Sequence, residues 1–390
     1  MIFSRNNEMT TYGHLNKDRH SLPFRLRHMK ILPRTLLIAG CGVSLVSLAH
    51  AQSSALTLWG QVDSGITYIS NKRGGASWGT ASGIGSPTRW GLRGNEDLGG
   101  GYRAVFALES GFNVNTGALI KTNTLFDRQA YVGLDGPLGT LTLGRQSDLM
   151  DDVAIRYSNA FWNRSLYSFH AGNLDSLTNG YQIENAVKYR SPDWYGVRVG
   201  ALYGFAGSDA SGHSAGAYAT YDRGPLSAGV TYMTTKRRVL DLYNYFGWTR
   251  FLGQTLSAQQ TFQSNAVDNL GIGLTYRIVQ PWTINLLYTR TDIKGARSAT
   301  HMQNIDAGTL YQFTAAEAVT LDYTYSRMEG MHWNTLEAGN LYSLSKRTQV
   351  QATVTWQLAS GNGATAATYP NGPSSGRSQL LAHVGITHSF

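Results

Sequence analysis

What this 390-residue chain lacks removes several classes of protein. It has one cysteine, Cys41, so neither a disulfide framework nor a thiolate metal site is available to it. It has no apolar run of the about 20 residues that a spanning helix needs, which excludes a bundle of transmembrane helices. Catalytic spacing is missing as well. His170, His213, His301, His332, His383 and His388 are scattered, with no HExxH, no GxSxG and no local metal-ligand spacing. The 44 glycines form no phosphate-binding loop ahead of a helix. No enzyme, cofactor or metal is therefore expected.

An export signal is present. Met29-Lys30 and Arg34 supply positive charge, Leu36 to Leu48 is apolar, and Ala49-His50-Ala51 matches a small-x-small cleavage site. Residues 29–51 thus read as a secretory signal peptide, and 1–28 as an upstream extension or a mis-assigned start. Ile38-Ala39-Gly40-Cys41 approximates a lipobox, but most of the apolar stretch would then follow the cut. Residues 1–51 hold seven Lys/Arg and two Asp/Glu, so removing them lowers the net charge from +9 to +4. That weakens any argument for polyanion binding.

Beyond the signal, segments of about ten residues alternate strictly. Val319, Leu321, Tyr323 and Tyr325 alternate with Thr320, Asp322, Thr324 and Ser326, and Val350, Ala352, Val354, Trp356 and Leu358 with five Gln and Thr residues. Around 270–276, 283–289 and 379–390 the pattern repeats. A period of two with one very polar face fits strands that have lipid on one side and water on the other. Each segment alone is equally a half-buried soluble strand. Their recurrence behind an export signal favours a membrane barrel.

Seven short turn-like joints, at 95–100, 135–139, 191–196, 222–225, 279–281, 314–317 and 345–347, each connect two strands. With a first strand near Leu56 and a last ending at Phe390, the count is sixteen. Between the hairpins lie longer stretches, 70–87, 148–183, 234–267 and 360–378. The expected fold is all-β, a transmembrane antiparallel barrel over 52–390 with short turns on one side and long loops on the other. About sixteen strands leave room for an aqueous channel. Tyr68, Trp90, Tyr131, Tyr232, Trp282 and Trp356 are candidates for interfacial girdles.

Specific segments then resemble a known family. Ala55-Leu56-Thr57-Leu58-Trp59-Gly60-Gln61-Val62-Asp63, Arg89-Trp90-Gly91-Leu92-Arg93-Gly94-Asn95-Glu96-Asp97-Leu98-Gly99, Phe126-Asp127-Arg128-Gln129-Ala130-Tyr131, Leu143-Gly144-Arg145-Gln146 and Asn185-Ala186-Val187-Lys188-Tyr189, with the terminal Phe390, are similar to general porins of the β-proteobacterial type. The resemblance covers essentially the whole processed chain. It implies a homotrimeric, water-filled outer-membrane channel for small hydrophilic solutes and ions. It also implies that Phe390 is read by the barrel assembly machinery.

The resemblance further implies that loop 148–183 folds into the lumen as the constriction. Its acidic candidates are Asp148, Asp151, Asp152 and Asp175, faced by a basic wall whose best motif matches are Arg89, Arg128 and Lys188. Alternation places Lys188 between outward Val187 and Tyr189, and sets Arg128 opposite to Tyr131. Arg93 and Arg103 fit lumen parity as well. Any one of these cations could equally be a solvated interior residue or a pin for the loop. Arg156 and Arg164 lie on the loop and offset its acidity, so weak selectivity leaning to anions is expected. Phe161, Trp162, Tyr167 and Phe169 keep a substrate-specific channel open as an alternative, and the long loops a closed-lumen surface adhesion protein. Lys236-Arg237-Arg238, close to several aromatic residues, is read as an outer-rim contact for lipopolysaccharide phosphates rather than for nucleic acid.

Overall fold

In the computed structural model, which describes residues 54–178, 181–207 and 212–390, the alternating segments form one closed antiparallel barrel. The signal-peptide reading and Cys41 lie outside the described residues. The first half comprises β1 (Ser54–Lys72), β2 (Gly75–Ser82, resuming at Arg89–Gly99), β3 (Tyr102–Gly111), β4 (Gln129–Gly136), β5 (Gly139–Ser147), β6 (Gln182–Arg190), β7 (Val197–Gly204) and β8 (Ser214–Arg223). The second comprises β9 (Leu226–Lys236), β10 (Ala266–Val279), β11 (Trp282–Lys294), β12 (Ala299–Gln312), β13 (Glu317–Met328), β14 (Met331–Ser343), β15 (Thr348–Gly361) and β16 (Ser378–Ser389). Sixteen strands were expected, and sixteen pair in sequence.

Closure comes from β1 pairing with β16, in register from Gln61↔Ser389 to Ile69↔Leu381. Gly60 and Phe390 exchange backbone hydrogen bonds of 3.2 and 3.0 Å at the seam. A Cβ at Gly60 would lie 2.5 Å from the Phe390 ring, so this close approach needs glycine there. Among the described residues, every barrel strand is paired on both sides, so that none faces lipid, which has no hydrogen bonds to offer, with an open edge.

The barrel is inside out relative to a soluble protein. On β13, Thr320, Asp322 and Thr324 are buried while Leu321 is 62 % exposed. Leu58, Val132, Leu141, Ile272, Ile305, Val354 and Ile386 are exposed in the same way around the wall. The apolar face can be exposed because its solvent is hydrocarbon, and the polar face is buried because the interior is filled by a loop.

All seven expected short joints link neighbouring strands. At the other end, one of the four expected longer stretches is corrected. Segment 70–87 is not a loop: Gly75–Ser82 pairs with β1, and the hairpin tip is Arg73-Gly74. Both tip residues have positive φ, as do Glu329-Gly330 between β13 and β14, the backbone of two-residue hairpin turns that match strand twist. The break in β2 at 83–88 frees the carbonyl of Ile84, which accepts the N–H of Leu166 at 2.8 Å.

Two long outer connections turn inward. Loop 237–265 carries a short helix, Leu242–Phe246, whose Phe246 stacks on Trp248 at 4.5 Å and packs with Trp333, Leu174 and Ala171. This corrects the rim reading for Arg238. Its guanidinium is buried 4.7 Å from the Tyr181 ring centre and donates to the Leu174 carbonyl. Tyr131 is likewise no girdle residue. It faces inward, within electrostatic reach of Asp152, Arg190, Glu109 and Arg93, while Val132 and Leu134 face out.

Candidate functional site: an inward loop between two unlike walls

Loop 148–181 follows β5 and lies against the inner faces of β9 to β14. It does so as short helical turns, Leu149–Asp152, Ala154–Tyr157 and Asn159–Asn163, the first and third started by a polar cap. Asp148 accepts from the N–H of Asp151, and Ser158 from that of Phe161. Apolar residues of the first turns, Leu149, Met150, Val153, Ala154 and Tyr157, pack with Leu177, Met233 and Leu287.

Small residues on the wall make room. A Cβ on Gly273 would meet Tyr157 at 2.4 Å, on Gly271 would meet Ala154 at 2.8 Å, and on Gly308 would meet the Asn159 side-chain oxygen at 2.5 Å. At Gly339 the clash would be with Asn163 at 2.0 Å. These glycines, on β10, β12 and β14, form a track in which the loop is seated.

Hydrogen bonds fix it there. Asn159 donates its backbone N–H to Asp306 at 3.0 Å and its side-chain amide to Tyr323 O and Thr324, and it accepts from Asn285 at 2.9 Å. Thr320 donates to Asn163 at 2.8 Å. Deeper in, His170 sits fully buried between Asp175 at 2.5 Å and Asp306 at 2.8 Å. Burial alone would disfavour its charge, but the two carboxylates hold its pKa well above the usual histidine value. The imidazolium then donates from both ring nitrogens. Burial opposes ionisation of Asp175 too, yet His170 and the Thr289 hydroxyl hold its carboxyl below the usual range. Asp148 has no such cation at contact distance, and burial pushes it up to about 7.

Across the lumen the wall of β1 to β6 carries cations. Arg89 and Arg128 share the carboxylate of Glu109, Arg89 at 3.4 Å and Arg128 in a short bond. Arg89 and Arg93 also lie 5.6 and 5.9 Å from the centre of the Trp59 ring. Lys188 donates to Asp152 at 2.6 Å and to the Ser147 carbonyl at 2.7 Å, tying down the base of the loop. Arg103 pairs with Asp135 at 2.5 Å beside the short β2–β3 turn, at the mouth of the barrel.

The matches to known proteins agree with this architecture. A model of the Gram-negative porin family matches residues 37–362. The chain belongs to that family. An outer membrane porin protein of Bordetella pertussis is 34 % identical over 195 residues, 46 % of this chain and 49 % of that protein, so the chain spans about half the length of this relative. Outer membrane porin protein 32 of Delftia acidovorans is 28 % identical over 386 residues, covering 91 % of this chain and 99 % of that protein. Among solved structures, an anion-selective porin from Comamonas acidovorans superposes with a TM-score of 0.70 at 25 % identity, covering 87 % of this chain and all of that one. This chain is an integral outer-membrane β-barrel.

Within this porin the residues singled out from sequence separate into three groups. Arg89, Arg93 and Arg128 come together on one wall around Trp59 and Glu109. Arg128 does so against the alternation argument. Val132 and Leu134 face lipid, so its parity is outward, and its side chain reaches Glu109 because it precedes the first paired residue, Gln129. Asp152 and Lys188 meet at the loop base. Asp148 and Asp175 lie behind the loop with 2 % and 0 % of their surface exposed, so neither faces the open lumen. Asp151 is partly exposed next to Asp148.

Several residues of the arrangement were not singled out. Arg190 is exposed on the inner face two residues after Lys188, and its shared parity was the available signal. Glu109, Asp306 and Glu337 carry inward carboxylates that no motif marks. Arg164, expected only to offset the acidity of the loop, lies in a left-handed backbone conformation at the end of Asn159–Asn163 and reaches Gln349 at 2.5 Å. Burial lowers its pKa to about 10, and Asp63 opposes that shift.

Proposed function

We propose that this porin is a passive diffusion channel for small hydrophilic solutes and ions, narrowed by loop 148–181 and weakly selective for anions. The observation that carries this reading is the sorting of charge. Carboxylates on the β9 to β14 side are covered by the loop, whereas Arg93 and Arg190 on the opposite side stay in contact with the lumen. A transverse field across a narrow wet gap orients polar solutes and raises the local concentration of anions. No chemical step is involved, and the family is one of channels rather than enzymes. A homotrimer in contact with lipopolysaccharide, assembled through recognition of Phe390 at the closing seam, fits the same reading. So does the anion selectivity stated for the Comamonas porin.

Single-channel conductance of the refolded processed protein in a planar bilayer, with reversal potentials under a salt gradient, tests it. Ohmic steps closing in threes, with a modest anion preference, are expected. Folded barrels that conduct nothing would overturn the reading and turn attention to an adhesive surface. A saturable site would instead support the substrate-specific alternative, which is favoured by the half-exposed Phe161–Trp162 pair, 5.8 Å between ring centres, on the inward loop.

A further inference from the structure

The covered wall holds a group of oxygens that the anchoring of the loop does not use. The hydrogen-bonded register sets Asn285, Gly308, Asp322 and Glu337 in one inward row across β11 to β14. Asp322 and Glu337 stand directly opposite each other, a placement that puts Cβ atoms about 5 Å apart, and each keeps only 2 % of its surface exposed. Neither oxygen of either carboxylate has a hydrogen-bond partner. The Thr309 N–H and the Ser168 and Thr320 hydroxyls lie within electrostatic reach without closing such a bond, and Thr320 instead donates to Asn163 at 2.8 Å. The imidazolium of His170 is already committed to Asp175 and Asp306. Two buried carboxylates are thus left side by side and unmatched, an arrangement that desolvation and mutual repulsion both oppose.

Gly308 opens a space beside Asp322. A Cβ on it would lie no more than 2.6 Å from each of three oxygens, Asp322 Oδ1, Asn159 Oδ1 and Asn285 Oδ1. One comes from the loop and two from the wall. The amide orientations are fixed by their other bonds. Asn285 donates its amide hydrogens to the Tyr157 carbonyl at 3.1 Å and to Asn159 at 2.9 Å, and Asn159 donates its own to the Tyr323 carbonyl and the Thr324 hydroxyl, both at 3.0 Å. Both amides therefore turn oxygen, not hydrogen, toward Asp322. Glu337 in turn lines a small polar cavity with Ser168, Thr324, Thr335 and Gln357. Among the described residues no three His, Cys, Asp or Glu side chains are grouped for a metal ion, which argues against a transition-metal centre. Carboxylate and amide oxygens are instead the donors of a hard cation, and an irregular oxygen shell suits calcium better than magnesium, which demands near-ideal octahedral geometry. Asn159 and Asn285 are 126 residues apart, so no local spacing marks the group in the sequence.

We propose that a calcium ion binds behind the loop at Asp322, held by that carboxylate and the side-chain oxygens of Asn159 and Asn285, with Glu337 on the next strand supplying the second negative charge. Asn159 belongs to the loop and the other three to the wall, so the ion fastens the loop into its glycine track. It also matches the two carboxylates that no residue matches. All four side chains are buried, so the site is loaded as the loop seats during folding and exchanges its ion slowly. The inference rests on the seated loop and not on conduction.

The test refolds the processed chain in detergent with calcium chloride or with a chelator, dialyses it against metal-free buffer, and measures the calcium retained and the thermal midpoint. The parent is expected to keep about one calcium ion per chain and to melt higher after refolding with calcium. Asp322→Asn combined with Glu337→Gln keeps the shapes and removes the charges; it should retain less than about a tenth of that calcium and melt at one temperature from either refolding. Glu329→Gln, on an exposed outer turn, should behave as the parent does. Equal retention in parent and double variant, or loss of the ion from Glu329→Gln, would overturn the proposal. So would a parent that keeps no calcium and melts identically from both refoldings, which would assign protons to the two carboxylates. Should the double variant fail to fold, the calcium retained by the parent and its shift in melting decide alone.

Discussion

The two walls of the lumen solve the problem of interior charge in opposite ways. On β9 to β14 the wall presents glycines and carboxylates, and the loop covers both: Gly273 and Gly308 touch it, while Asp306 is bonded to His170 of the loop, which it shares with the loop's own Asp175. On β1 to β6 the wall presents arginines, some paired with Glu109 or leaning on Trp59, and the loop does not cover them. Charge that anchors the loop is buried and matched. Charge that faces the solute is left partly unmatched. In the proposed channel the loop therefore has a second role besides narrowing the pore, which is to cover one sign of charge.

The largest effect should follow from breaking the covered wall. Gly308→Val places side-chain atoms where the Asn159 side chain and the Asp322 carboxylate now sit, and overpacking of this kind costs about 1–3 kcal/mol. The loop should lift from its track, so single-channel conductance should rise and current noise increase. Unchanged conductance from a folded variant would mean that the loop does not set the narrowest point.

Next in size are charge reversals on the open wall. Arg93→Glu and Arg190→Glu should each shift the reversal potential toward cations, because neither cation has a carboxylate partner among the described residues. Lys188→Glu should shift it less, since the lost charge is already matched by Asp152, and should instead loosen the loop base. Arg73→Glu, on the outer hairpin tip, should change selectivity little. If Arg73 and Arg93 shift it equally, the open wall is not where ions are discriminated.

Which parts of this comparison the sequence made legible follows from range. Strand period, the seven short joints and the count of sixteen depend on residues next to one another, and all are seen in the fold. The hairpin at Arg73-Gly74 was missed because Gly75 to Ser82 is too small and polar to alternate visibly. The paired carboxylates were missed for a different reason. Asp306 is 136 residues from His170 and Glu109 is 19 from Arg128, so no local spacing could join them. Arg128 was placed inside by motif and by its alternation with Tyr131, but Tyr131 itself faces inward, and Arg128 reaches Glu109 only because it precedes the first paired residue, Gln129.

The buried anchor should respond to pH in one direction. His170 has a raised pKa, so the stability it lends is complete below about 6.5 and is lost as pH climbs through the raised value. Asp148, raised to about 7, acts the same way, with its contribution fading between about 4 and 7. Asp175, whose pKa is lowered, contributes above about 3.8 and loses that contribution only in stronger acid. The thermal midpoint should therefore be highest in mild acid and fall on the alkaline side. His170→Asn should lower it most in mild acid and flatten the alkaline fall; a parallel downward shift at every pH would show that His170 is only packing.

The smallest expected effect concerns Trp59, and it sharpens the comparison most. Its ring supports Arg89 and Arg93 without neutralising them, each contact contributing about 0.5–1 kcal/mol at an exposed site. Trp59→Leu keeps apolar bulk but removes the electron-rich face, so both guanidinium groups gain freedom while the total charge stays the same. If anion preference depends on charge alone, reversal potentials will not move. If it depends on holding that charge in one place against the loop, anion preference will weaken slightly while conductance at high salt, where the field is screened, stays level. A slight weakening is the outcome expected of a wall whose arginines are fixed in position but not cancelled.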